Sequence, residues 1–195
     1  MLENIKCFLS VFKYQLEALR EDIRVYWSKR GDESLLHSIL YIGTCHGLHA
    51  MFIFRLGKII YAVPIPIVSH VLKIFYRILY FIFSTIYGIA LNPVSNIGAG
   101  FYIGHYGGIF VRGDFGSHCS ISQGVTFGSK GAGKSNGWPK IGNNVYVGAG
   151  AKVIGNIEIG SDCIIGANAV VTISVPDCSL AVGVPASYRL LTSSK

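Results

Sequence analysis

Two stretches of the chain keep a six-residue period, and no other feature limits the fold so strongly. Counting in sixes from Ile97 meets Ile97, Ile103, Ile109, Phe115, Ile121 and Phe127, all large and apolar. A second count from Ile141 meets Ile141, Val147, Val153, Ile159, Ile165 and Val171, all Ile or Val. Glycine follows directly at Gly98, Gly104, Gly116, Gly128, Gly142, Gly148, Gly160 and Gly166. The position four after each bulky residue is usually small or apolar, as at Val125, Val145, Ala151, Ile157, Cys163, Ala169 and Val175. This pattern is the mark of a hexapeptide β-helix, in which each hexad supplies a short strand and a turn and three hexads close one triangular coil. A helix would not tolerate the glycine density.

The period breaks between Phe127 and Ile141, a step of 14 rather than 12. The polar, glycine-rich segment 129–139 is therefore expected to leave the prism as an extended loop, near 128–140, and loops that leave a solenoid tend to carry function. Within it, Gly131-Ala-Gly-Lys134-Ser135 has a superficial likeness to a phosphate loop. It lacks the strand-loop-helix context of that motif, so a nucleotide triphosphate site is rejected.

Composition changes near residue 90. Residues 1–90 hold 5 of the 24 glycines and 15 of the 24 aromatic residues. The division expected is an α-helical domain over 1–91 and a β-helix over 92–195, a mixed fold. In the first part, Phe8, Val11, Phe12, Leu16, Leu19 and Ile23 recur at helical spacing over 2–27. Asp32 can cap a second helix starting near Glu33 and running through Leu40, with Gly43 ending it. A third opens at His46-Gly-Leu-His49 and continues to Ile60. His46 and His49 share a helix face, but no carboxylate or cysteine sits at ligand spacing on that helix, so they read as packing histidines and no metal is expected.

The formal charge, 17 − 10 = +7, is spread over both halves without a basic run, which argues against nucleic acid. Five cysteines without a CxxC pair fit free thiols of a reduced cytoplasm. The N-terminus carries Glu3 and Lys6 early and reads as no signal peptide. The segment 59–91 is very apolar, its formal charges being Lys73 and Arg77, and it ends in an uncharged run of 14 residues, short of the roughly 20 a spanning helix needs. Pro64 and Pro66 are expected to break its first half. It reads first as helices packed into an oligomer or domain interface, and second as peripheral contact with the inner face of a membrane.

Several stretches together resemble the left-handed β-helix acyltransferases, and within them the serine acetyltransferase-like group, which also includes O-acetyltransferases of capsule, O-antigen and exopolysaccharide synthesis. They are His46-Gly-Leu-His-Ala with Arg55-Leu-Gly-Lys58, Ile103-Gly-His105-Tyr-Gly-Gly-Ile, Gln123-Gly-Val-Thr-Phe-Gly128, Gly148-Ala-Gly-Ala-Lys152-Val and Gly183-Val-Pro-Ala186. The resemblance implies a left-handed coil, a homotrimer or dimer of trimers with active sites between chains, and acetyl-CoA as co-substrate. His105 would be the general base, a task that suits an imidazole at neutral pH. Acetyl-CoA would lie along a groove at Ser129, Ala149 and Ala167, with its nucleotide end near Thr172 and the turn at Pro185-Ala-Ser187. Where the family often has Arg or Lys, this chain has Ser187, so Arg189 or Lys152 becomes the candidate for the phosphates.

Three departures bear on the acceptor. The aspartate of the first coil falls on Ala90, the aspartate before the catalytic histidine on Gly104, and the Arg-His pair of the loop on Gly137-Trp138. Charged partners for serine are thus missing at the matched positions, and a buried ammonium without a counter-charge is costly. Trp138 offers a flat face for a sugar ring, and Tyr106 lies beside the base. These features lead to the expectation of an O-acetyltransferase acting on a saccharide hydroxyl in polysaccharide synthesis. Serine O-acetylation is the alternative, and a trimeric scaffold is the non-enzyme alternative. A γ-type carbonic anhydrase needs three zinc histidines, and the prism half holds only His105 and His118.

Overall fold

The computed structural model describes residues 2–29, 43–131 and 137–191. The helix expected near Glu33–Leu40, the centre of the loop with Lys134 and Ser135, and the last four residues lie outside the described residues. Three helices, α1 (Leu2–Ser28), α2 (His46–Tyr61) and α3 (Pro66–Tyr87), precede a three-faced parallel β-helix. α3 departs from expectation. Pro66 opens the helix instead of breaking it, because a first-turn proline gives up an N–H that has no partner anyway. The result is one helix of 22 residues, ended by Gly88 in the left-handed region.

The first face of the prism stacks β1 (Ile89–Leu91), β4 (Ile109–Val111), β7 (Thr126–Gly128), β10 (Lys152–Ile154) and β13 (Val170–Val171). The second stacks β2 (Asn96–Ile97), β5 (Asp114–Phe115), β8 (Lys140–Ile141) and β11 (Glu158–Ile159). The third stacks β3 (Tyr102–Ile103), β6 (Ser120–Ile121), β9 (Tyr146–Val147), β12 (Ile164–Ile165) and β14 (Ser179–Gly183), with β15 (Ala186–Leu190) added antiparallel. The prism begins at Ile89, three residues before the boundary that composition marks, since β1 pairs with β4. All twelve hexad residues are buried, as are the seven small or apolar residues four positions on, and together they form one continuous core.

Two details correct the six-residue count. The strand partner of Phe127 is Val111 rather than Ile109. Equivalent inward positions therefore run Ile103, Val111, Phe115, with steps of eight and four that sum to the regular twelve. The corner after β3 is two residues longer than a hexad allows, and the next is two shorter. In addition, Phe127 and Ile141 lie on successive faces, so the step of 14 stands where a step of six belongs. The loop adds eight residues, not two.

Side chains of α1 and α2 close the open end of the prism. The first coil would otherwise present unpaired backbone groups, a liability for any sheet edge. Asp22 accepts the Phe101 N–H at 2.9 Å. The Tyr26 hydroxyl accepts the Ile103 N–H at 2.8 Å. Arg55 donates to the carbonyls of Ile97 and Gly98, both at 2.6 Å, and pairs with Asp22 at 3.0 Å. Both charges are essentially inaccessible, at 1% and 0% exposure. This ion pair is affordable because nearly every polar atom in it has a backbone or side-chain partner.

Candidate active site

The long corner after β3 carries His105. Its two extra residues are accommodated by Gly107 and Gly108, both at positive φ, so the chain swells outward just past the histidine. Gly107 donates to the carbonyl of Tyr87 and Ile109 to that of Gly88, which ties the swollen corner to the end of α3. From the other side, α2 meets the same corner through its first turn. Gly47 makes this approach possible: a Cβ there would stand 2.5 Å from both the Ile103 carbonyl and the Tyr26 hydroxyl.

The two elements enclose a cavity of about 250 Å³ lined by Cys45, His46, Tyr102, Gly104, His105 and Tyr106, among others. His105 and Tyr106 are exposed to it. The His46 ring lies 4.4 Å from the ring of Tyr106 and 4.7 Å from that of Tyr87, and His49 Nδ1 shares a 3.2 Å hydrogen bond with the Tyr87 hydroxyl. The histidines of α2 therefore pack against tyrosines, as expected, and no group of three metal-ligating side chains exists among the described residues. What sequence reasoning missed is that His46 lines the same cavity as His105. The available signal was Gly47 next to it, a glycine inside a helix that demands a close neighbour. A larger cleft of about 630 Å³ between the helices is almost entirely apolar.

The corner of His105 repeats in each coil along one edge of the prism. Gly124 donates to the Gly107 carbonyl, Gly150 to Gln123 and Asn168 to Ala149. Ala149 and Ala167 thus stack in adjacent coils on the edge that begins at His105, and the Gly183–Pro185 turn leading to Ser187 ends that edge. At about 4.8 Å per coil, the line from His105 to Ala167 is about 14 Å long. Ser129 and Thr172 follow β7 and β13, so they lie on the neighbouring edge, across the first face. Arg189 is exposed on β15, paired with Leu180 and away from the turn. The Lys152 ammonium donates to the Gly124 carbonyl and to the Thr126 hydroxyl.

Trp138 stands apart from this cavity. It precedes β8, on the edge shared with Ser129, and the guanidinium of Arg112 covers its ring at 3.7 Å. Within one chain the structure brings Tyr106 to His105 and leaves Trp138 on a different edge. The pairing with Arg112 could not be foreseen because the two residues stand in successive coils and meet only once the prism is formed. Cys119 is no nucleophile, since burial pushes its thiol up to about 11.

Residues 139–172 match the bacterial transferase hexapeptide family (six repeats). Over 87% of its length the chain is 34% identical to a serine acetyltransferase of Staphylococcus aureus, spanning 76% of that protein. It is 32% identical to a serine acetyltransferase of Synechococcus elongatus over the same share, spanning 66% of that longer relative, just under two thirds. The crystal structure of serine acetyltransferase from Brucella abortus in complex with coenzyme A superposes with a TM-score of 0.77 at 29% identity, over 95% of this chain and 72% of that one. These relatives overturn the expectation of a saccharide acceptor and of a role in polysaccharide synthesis. The departures at Ala90, Gly104 and Trp138 stand in a chain that is similar to serine acetyltransferases over most of its length. The chain belongs to the serine acetyltransferase family, and with it to the acyltransferases that take their acetyl group from acetyl-CoA.

Proposed function

We propose that this protein transfers the acetyl group of acetyl-CoA to the hydroxyl of serine, with His105 as general base. The observation that carries the proposal is the placement of His105 in a cavity at the head of the edge formed by Ala149 and Ala167, in a chain about one third identical to serine acetyltransferases. In this reading the neutral imidazole takes the proton of the serine hydroxyl as its oxygen attacks the thioester carbon. The tetrahedral intermediate then collapses, the C–S bond breaks, and the departing thiolate receives the proton from the imidazolium. The small side chains of Ala149 and Ala167 leave backbone groups open to the pantetheine arm.

A homotrimer is part of the proposal. It would let Trp138 and Arg112 of one copy reach His105 of another, although they occupy different edges of a single chain. Arg112 then offers a cation for the serine carboxylate in place of the family's loop arginine.

The test is thiol release from acetyl-CoA with L-serine. The expected result is turnover with a high KM for serine, because no carboxylate occupies positions 90 and 104. A protein that binds coenzyme A and leaves serine untouched at any concentration would refute the acceptor.

A further inference from the structure

α3 is built inside out for a helix on the surface of a soluble protein. Its inner side is already packed: Tyr76 is buried with Ile53 and Ile60, and Leu72, Tyr80 and Phe83 pack against that cluster. Its outer side is a stripe of Ile67, Val71, Ile74, Ile78, Phe81 and Ile86, all exposed, with Ile67 at 81%, Phe81 at 68% and Ile86 at 69%. Helices in water put charged residues there, and a contiguous apolar stripe marks a surface that is covered in the working state. At 1.5 Å per residue the helix is about 33 Å long. Among the described residues it is the one helix long and apolar enough to cross a bilayer.

We propose that α3 lies flat on an anionic membrane surface and anchors the enzyme there. Three observations select this occupant. The basic side chains of α3 are His70, Lys73 and Arg77, and it has no carboxylate, in a chain of net charge +7, which complements anionic headgroups. The packed inner side holds α3 against α2, so the helix rests on the surface and does not thread through it. A second copy fits poorly: an antiparallel contact centred on Ile74 and Ile78 would bring the exposed Arg77 of each chain to that of the other. The apolar surface also continues inward, since Leu79 and Phe83 line the apolar cleft between the helices. The anchor is independent of the identity of the acceptor.

The experiment is flotation of the full chain with phosphatidylcholine vesicles, with and without phosphatidylglycerol. Binding is expected to the anionic vesicles, to weaken with salt, and to be released at alkaline pH. The Ile74→Glu/Ile78→Glu variant should lose it by at least about tenfold, and Arg77→Glu should erase the preference for anionic lipid. Circular dichroism and thiol release from acetyl-CoA by the variants read out folding and catalysis separately. Absence of vesicle binding by the native chain would overturn the proposal. So would binding that resists alkaline extraction, which means a spanning helix, or a variant that splits an oligomer while native binding to vesicles is nil, which means a second copy covers the face.

Discussion

In the prism, every equivalent inward position from Ile97 to Val171 is Ile, Val or Phe, and each is sealed from water. In the helical region the pattern is different: α3 shows Ile67, Ile74 and Phe81 to the outside, while Asp22, Tyr26 and Arg55 are buried beside Met51 and Phe54 where helices meet coil. A solenoid can hide apolar residues within its own coils and needs help only at its ends, where backbone groups run out of partners. The helices α1 and α2 supply that help with polar side chains and with Met51 and Phe54, which leaves the outer apolar surface of α3 for something else. Sequence periodicity reports the first kind of burial directly and the second hardly at all.

The sharpest way to break this comparison is at the junction. Arg55→Ala leaves Asp22 buried without its counter-charge and frees two carbonyls of the first coil, and it should cost about 3–5 kcal/mol in denaturant unfolding. A loss under about 1 kcal/mol would mean the polar cap is incidental. Within the prism, Ile121→Ala removes a fully enclosed side chain and should cost about 2–5 kcal/mol. Ile78→Ser on the outer side of α3 should change stability by no more than about 0.5 kcal/mol in the absence of membrane. If the two isoleucine substitutions were equally damaging, the contrast between the regions would fail. For the site, His46→Ala should lower kcat/KM by about tenfold to 100-fold without loss of fold, because it removes a ring that backs Tyr106. At the small end, Lys140→Ala breaks an exposed pair with Glu158 and should cost less than about 1 kcal/mol.

The sequence made the prism legible because an inward residue every six positions is a property of one chain segment read alone. It misled where insertions cancelled. Two extra residues before Val111 and two fewer after it kept Ile109 in phase, so the swelling of the corner that carries His105 was invisible to counting. The loop was undercounted for the same reason, since a fixed period cannot tell which face resumes after a break. His105, Tyr106, Ala149 and Ala167 are candidates through motif resemblance, and the coil repeat places the last two on the edge of the first. His46 and the stacking of Arg112 on Trp138 were beyond reach, because each depends on the meeting of segments far apart in the chain. Three local departures point to a different acceptor than similarity along most of the chain does, and the longer similarity carries more information.

The most direct test of the account replaces His105 with alanine and follows thiol release from acetyl-CoA in the presence of L-serine. The account predicts a rate lower by about 100-fold to 10,000-fold, with thermal stabilisation by coenzyme A retained. A variant that turns over at the native rate would contradict it, because the general base would then lie somewhere other than the swollen corner after β3.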